Sequence, residues 1–176
     1  MGKGRTSQSL ANTIIAKAIE IATLGRSQIG ICAAYGVSCE GWLKVELLRG
    51  LALKFQSSEN VEIAPEAANI DLIVRAGAQQ VLLELKTFPT NSGRGGKPIT
   101  NFIQGVVDDL HKLARVRAEA DIGLAICLAY IIPDPIPASW PNHIGKIQAA
   151  AANTRAEERI PLWEGAFAHL YVMQSK

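Results

Sequence analysis

Four charged residues stand out because each interrupts an otherwise apolar run. Asp71 breaks Ile-Asp-Leu-Ile-Val, while Glu84 and Lys86 break Leu-Leu-Glu-Leu-Lys-Thr. Glu46 lies in Glu40 to Phe55, where Trp42, Leu43, Val45, Leu47, Leu48, Leu51, Leu53 and Phe55 cover almost a whole helical circumference. Residues two apart on a strand share a face, so Glu84 and Lys86 project together. Asp71 and Glu84 are 13 positions apart. That is enough for two antiparallel strands turning at Gly77, with Asp71 opposite or diagonal to Glu84. Carboxylates gathered in a partly buried pocket repel one another and lose hydration, and a divalent cation relieves both. An all-oxygen ligand set favours magnesium, manganese or calcium over zinc. With Asp71 and Glu84 as ligands and Glu46 as an auxiliary one, the ion would bind a phosphate oxygen and polarise a water. Lys86 would orient that water and offset charge building on the phosphate. The expected reaction is phosphodiester hydrolysis with Mg²⁺ or Mn²⁺.

Each residue alone also suits a plainer role. Asp71 fits a turn or cap, Glu84 and Lys86 a solvated strand face, and Glu46 an ion pair with Arg49 or Lys44. Convergence of all four distinguishes the chemical reading from these. In an unrelated α/β protein with a structural ion network, neither Glu46 nor Asp71 would approach Glu84.

The elements that must position these residues follow from periodicity. Residues 1–9 read as a flexible tail, and residues 10–176 as one domain. Apolar positions Leu10, Ile14, Ala18, Ile21 and Ala22 predict a helix to about Leu24. Gly25 to Val37 reads as turns around a short helix, and Glu40 to Phe55 as a helix buried on most sides. Strands are predicted at Asn60–Ala64, ending at Pro65, and at Ile70–Arg75 and Gln80–Phe88. Asn101 to Arg117 is a clean amphipathic helix. Ile122 to Ile132, apolar throughout, predicts a central strand. Asn142 to about Glu158 reads as a helix and Ala166 to Met173 as a last strand. The order describes one mixed α/β domain without internal repeats.

Asp71 in Asn-Ile-Asp-Leu-Ile-Val, with Glu84-Leu-Lys86 in Leu-Leu-Glu-Leu-Lys-Thr, resembles the PD-(D/E)xK nuclease superfamily, the restriction-endonuclease-like phosphodiesterases. The order of elements is similar too: a helix carrying Glu46, a hairpin, a crossover helix, then an apolar strand. The resemblance spans about Glu40 to Ile132. It departs at Ile70, where the family's name has a proline. Pro65-Glu66 lies five residues earlier, which leaves Glu66 as another candidate for the acidic role. The resemblance implies a three-layer α/β domain, a central mixed sheet flanked by helices, with magnesium on the acidic pair and the lysine positioning the attacking water. It implies nucleic acid, DNA foremost, as substrate. It also admits a homodimer, since single-domain nucleases of this size often need two copies to cut both strands. The rival reading is the same fold as a non-catalytic binding or assembly module.

Bulk composition narrows the field further. The chain has 176 residues, is 48% hydrophobic and carries a formal charge of +2. The near-balance argues for a small basic footprint if polyanions bind. Cys32, Cys39 and Cys127 form no CxxC pair, so neither a zinc site nor a disulfide framework is expected, and the chain reads as cytoplasmic. The longest apolar stretch is too short to span a membrane. Ser92-Gly-Arg94-Gly-Gly-Lys97 lacks Walker spacing, yet Arg94 and Lys97 could close over a phosphate backbone. Gln104, at the start of the amphipathic helix, is a third candidate nucleic-acid contact, against the reading of an ordinary exposed glutamine.

Overall fold

The computed structural model describes residues 3–67, 69–89, 99–116, 122–131, 138–163 and 166–176. Helices α1 (Lys3–Leu24), α2 (Arg26–Tyr35) and α3 (Glu40–Phe55) come first, followed by strands β1 (Val61–Ala67), β2 (Ile70–Ala76) and β3 (Gln79–Pro89). Then come α4 (Ile99–Val116), β4 (Ile122–Ile131), α5 (Trp140–Ala150), β5 (Ala151–Trp163) and β6 (Ala166–Ser175). Helix α1 begins at Lys3, within the segment expected as a tail. Gly25 separates α1 from α2 because the Trp42 ring packs there: a Cβ on Gly25 would lie 2.2 Å from Trp42 Cη2. Gly36, at φ +65°, ends α2 with its N–H on Ala33 O.

The strands form one six-stranded mixed sheet in the order β1-β2-β3-β4-β6-β5. The β1–β2–β3 meander is antiparallel, with Gly77 at φ +59° in the β2–β3 turn. Chain crossover through α4 makes β4 parallel to β3, and β6 returns antiparallel to β4. Apolar residues alternate to opposite faces. Leu72, Val74, Leu83, Leu85, Leu124, Ile126 and Leu128 pack with α1, α2 and α3, while Ile73, Leu82, Phe88, Ala125, Cys127 and Ala129 pack with α4 and α5. The sheet is therefore covered on both sides, and β4 is apolar throughout because both its faces are buried. Phe88 stacks on Phe102 at 5.6 Å and fixes α4 against β3.

Three expectations need correction. Helix α3 buries only one stripe, Leu43, Leu47 and Leu51, each contributing about 1.5–3 kcal/mol on leaving water. Val45 and Leu53 are exposed. Strand β1 runs through Pro65 to Ala67, which an edge strand tolerates because a missing N–H there breaks no ladder. The helix expected to about Glu158 stops at Ala150 and gives way to the edge strand β5. Ala-Ala-Asn-Thr-Arg-Ala-Glu-Glu favours helix locally, but pairing with β6 overrides it, at the cost of three register shifts.

Candidate active site

The β2–β3 ladder runs from Ala76–Gln79 to Leu72–Leu83 and stops, while β3 continues beside β4 to Pro89. Past the last rung, two carboxylates stand in for the missing strand. Leu85 N–H donates to Asp71 Oδ2 at 2.8 Å, and Thr87 N–H to Glu40 Oε2 at 3.3 Å. Buried amides need acceptors, and these two carboxylates supply them. Glu40 is the first residue of α3. The start of that helix is hooked to β3 by the Cys39 N–H on Thr87 Oγ1 (3.1 Å) and by a hydrogen bond shared between Ser38 and Thr87 hydroxyls (2.7 Å).

Leu83 and Leu85 enter the core under α1–α3, so Glu84 and Lys86 project toward α4. There α4 presents Gly105, Asp109 and Lys112 along one side. Lys86 lies over Gly105, its Nζ 3.4 Å from Asp109 Oδ2 and 3.9 Å from Glu40 Oε2. Lys112 Nζ sits 2.5 Å from Glu84 Oε1 and 3.7 Å from Asp109 Oδ1, and donates to the Asn69 carbonyl at 3.0 Å. The Glu84–Lys112 contact is an ion pair outside hydrogen-bond geometry, leaving Glu84 Oε1, like Asp109 Oδ2, buried without a directed hydrogen bond. Lys44 Nζ bridges Asp71 Oδ1 (2.8 Å) and Glu66 Oε1 (3.1 Å).

Two adjacent carboxyls thus acquire unlike affinities for a proton. Glu84 is 4% exposed. Burial, then the charges of Asp71 and Asp109, push its carboxyl up to about 7 against the pull of Lys112. Asp71 is also penalised by burial, but the Lys44 and Leu85 hydrogen bonds outweigh it and hold the carboxyl below its ordinary value. Burial raises Asp109, with Lys86 and Lys112 opposing. Burial lowers Lys86, yet the Asp109 and Glu40 charges prevail and its ammonium is held more tightly than usual. The cluster joins the acids Glu40, Glu66, Asp71, Glu84 and Asp109 to Lys44, Lys86 and Lys112, so acids outnumber cations.

The structure brings Asp71, Glu84 and Lys86 together but not Glu46. The Glu46 carboxylate accepts from Arg49 at 2.6 Å, one turn along α3, and lines the α1–α3 cleft with Lys17 and Trp42. Six residues along a helix amount to 600°, which carries Glu46 well round from Glu40. The helix acid at the fork is Glu40. Glu66 lies at its edge, 74% exposed and attached through Lys44. Gln104 is exposed, its amide on Asp108 at 2.9 Å, and Gly105 rather than Gln104 faces Lys86. Arg94 and Lys97 lie outside the described residues. Spacing alone missed Glu40, Lys44, Asp109 and Lys112. Gly105, Asp109 and Lys112, at positions i, i+4 and i+7, did carry a helical-face signal.

Among the described residues no group of three His, Cys, Asp or Glu side chains has the arrangement to hold a metal ion. A two-carboxylate set remains. Magnesium commonly takes one or two carboxylates and completes its shell with water and phosphate, so Asp71 and Glu84 could hold such an ion once Lys44 and Lys112 leave them. No helix among the described residues is long and apolar enough to cross a membrane. Family models, curated proteins and solved structures give no match to this chain.

Proposed function

We propose that this chain is a magnesium-dependent phosphodiesterase of restriction-endonuclease-like fold that hydrolyses nucleic acid, DNA foremost. The observation that carries the reading is the fork itself. Asp71 and Glu84 meet where β2 and β3 part, and Lys86 stands on the same face of β3 with its ammonium held by Asp109 and Glu40. The antiparallel meander, the α4 crossover and the parallel β4 support the fold assignment. Asp71 and Glu84 would hold the ion, which supplies Lewis-acid polarisation of a phosphate oxygen and a water of lowered pKa. Lys86, held by Asp109 and Glu40, would orient the attacking water and offset negative charge on the phosphate. Glu40 takes the auxiliary role that spacing had given to Glu46.

A second reading, a non-catalytic binding module, is favoured by Lys44 and Lys112, which neutralise both carboxylates internally. Incubation with plasmid and single-stranded DNA, with Mg²⁺ or Mn²⁺ and with chelator, separates the two. Cleavage that needs metal and disappears in Lys86→Ala, with unchanged circular dichroism, is the expected result. Full activity in that variant removes Lys86 from the mechanism, and no cleavage on any substrate favours the binding module.

A further inference from the structure

Each carboxylate of the candidate metal pair is covered by a lysine, and each lysine is tied to the same turn. Lys44 joins Asp71 to Glu66, and Lys112 joins Glu84 to the carbonyl of Asn69. Glu66 and Asn69 are the two non-glycine residues with positive φ among the described residues, +51° and +61°. Both lie in the last residues of β1 and the turn to β2. Such backbone costs of order 1–3 kcal/mol in general and persists where its surroundings demand it. Here the strained turn offers one acceptor to each ammonium.

An ammonium at contact distance from a carboxylate occupies space that a coordinated cation would need. Lys112 touches Glu84 Oε1, faces Asp109 Oδ1, and completes its donors on Asn69 O, an all-oxygen surround. Oxygen ligands of this kind also suit a hard divalent ion. The Glu84 oxygen it touches is buried and has no hydrogen bond of directed geometry among the described residues.

We propose that Lys112 is a built-in occupant of the divalent-ion seat at Glu84, so that metal and the Lys112 ammonium exclude one another. The inference deepens the metal-dependent reading and rests on it. The turn at Asn69 acts as the parking place of the lysine, and loading requires the ammonium to leave Glu84. Glu84 then has a protein cation against it when no metal is bound, and an anionic substrate, by attracting Lys112, would favour loading.

The test is calorimetric titration of the full chain with Mg²⁺, and separately with Ca²⁺. Lys112→Met should bind at least about tenfold more tightly than the unaltered chain. Lys112→Gln, which keeps a donor for the Asn69 carbonyl but no charge, should also bind more tightly, and it serves if the methionine variant does not fold. Lys112→Arg should show no gain, and Glu84→Gln combined with Lys112→Met should lose the site. Equal or weaker binding in both uncharged variants overturns the proposal. So does the absence of binding in every variant, which removes the metal from the proposed function as well. Tighter binding by Lys112→Met, together with no DNA cleavage by the unaltered chain, would uphold the seat while refuting the nuclease.

Discussion

The Glu84 carboxyl makes the metal-free protein's stability depend on pH in a calculable way. Its value in the folded chain, about 7, lies above the ordinary 4.5 of a glutamate because burial and the Asp71 and Asp109 charges disfavour ionisation. A raised acid binds its proton more tightly folded than unfolded. That stabilisation is complete below pH 4.5 and is lost as pH rises through 7. At 1.36 kcal/mol per pH unit the gap amounts to about 3 kcal/mol. Glu84→Gln cannot ionise and keeps nearly the same shape. Relative to the unaltered chain it should therefore gain about 3 kcal/mol between pH 4.5 and pH 8. Urea unfolding of both proteins in chelator, at several pH values across that range, measures the difference while other titrating groups largely cancel. A difference independent of pH, or one that moves the opposite way, would refute the account of Glu84 as a strained, cation-seeking acid.

The two acids of α3 should behave differently. Glu40→Gln should cut DNA cleavage by at least about tenfold by loosening Lys86 while still offering the Thr87 amide an acceptor, whereas Glu46→Gln should leave cleavage unchanged and shift stability by under about 1 kcal/mol, as an exposed ion pair does. Equal losses in the two variants would mean that Glu40 has no special role. Gly123→Ala should destabilise by about 1–3 kcal/mol in urea unfolding, because its Cβ would lie 2.6 Å from Ser175 Oγ and 3.0 Å from Leu113 Cβ where β4 meets β6 and α4.

What was legible in the sequence is what local periodicity controls. Glu84 and Lys86 share a face because strand alternation requires it, and Asp71 reaches Glu84 because the Gly77 hairpin is short. The apolar run Ile122 to Ile132 declared a central strand in the same way, and residues 122–129 are buried. Glu40, Lys44, Asp109 and Lys112 were less legible, since their meeting depends on how α3 and α4 dock against opposite faces of the sheet. Glu46 lies in a helix whose sequence is apolar on most sides, which suggests a buried carboxylate. That helix in fact exposes Val45 and Leu53, and Arg49 lies one turn away to claim the carboxylate. Strand β5 was hidden for a related reason: its alanines and glutamates favour helix, and only β6, beyond it in sequence, makes it a strand.

The fork also explains why some of its acids are poor probes of chemistry. Asp71 and Glu40 accept backbone amides that β2 no longer reaches, so truncating either to alanine leaves a β3 N–H without its acceptor. An unsatisfied buried amide costs about 1–3 kcal/mol, enough to disturb the site whatever the residue does to substrate. The contacts described for Glu84 and Lys86 run instead to side chains: Lys112, Asp109 and Glu40. Their charge can be removed with β3 intact. An effect of Glu84→Gln or Lys86→Ala on cleavage therefore reports chemistry, whereas the same loss in Asp71→Ala would be shared between chemistry and the end of a strand.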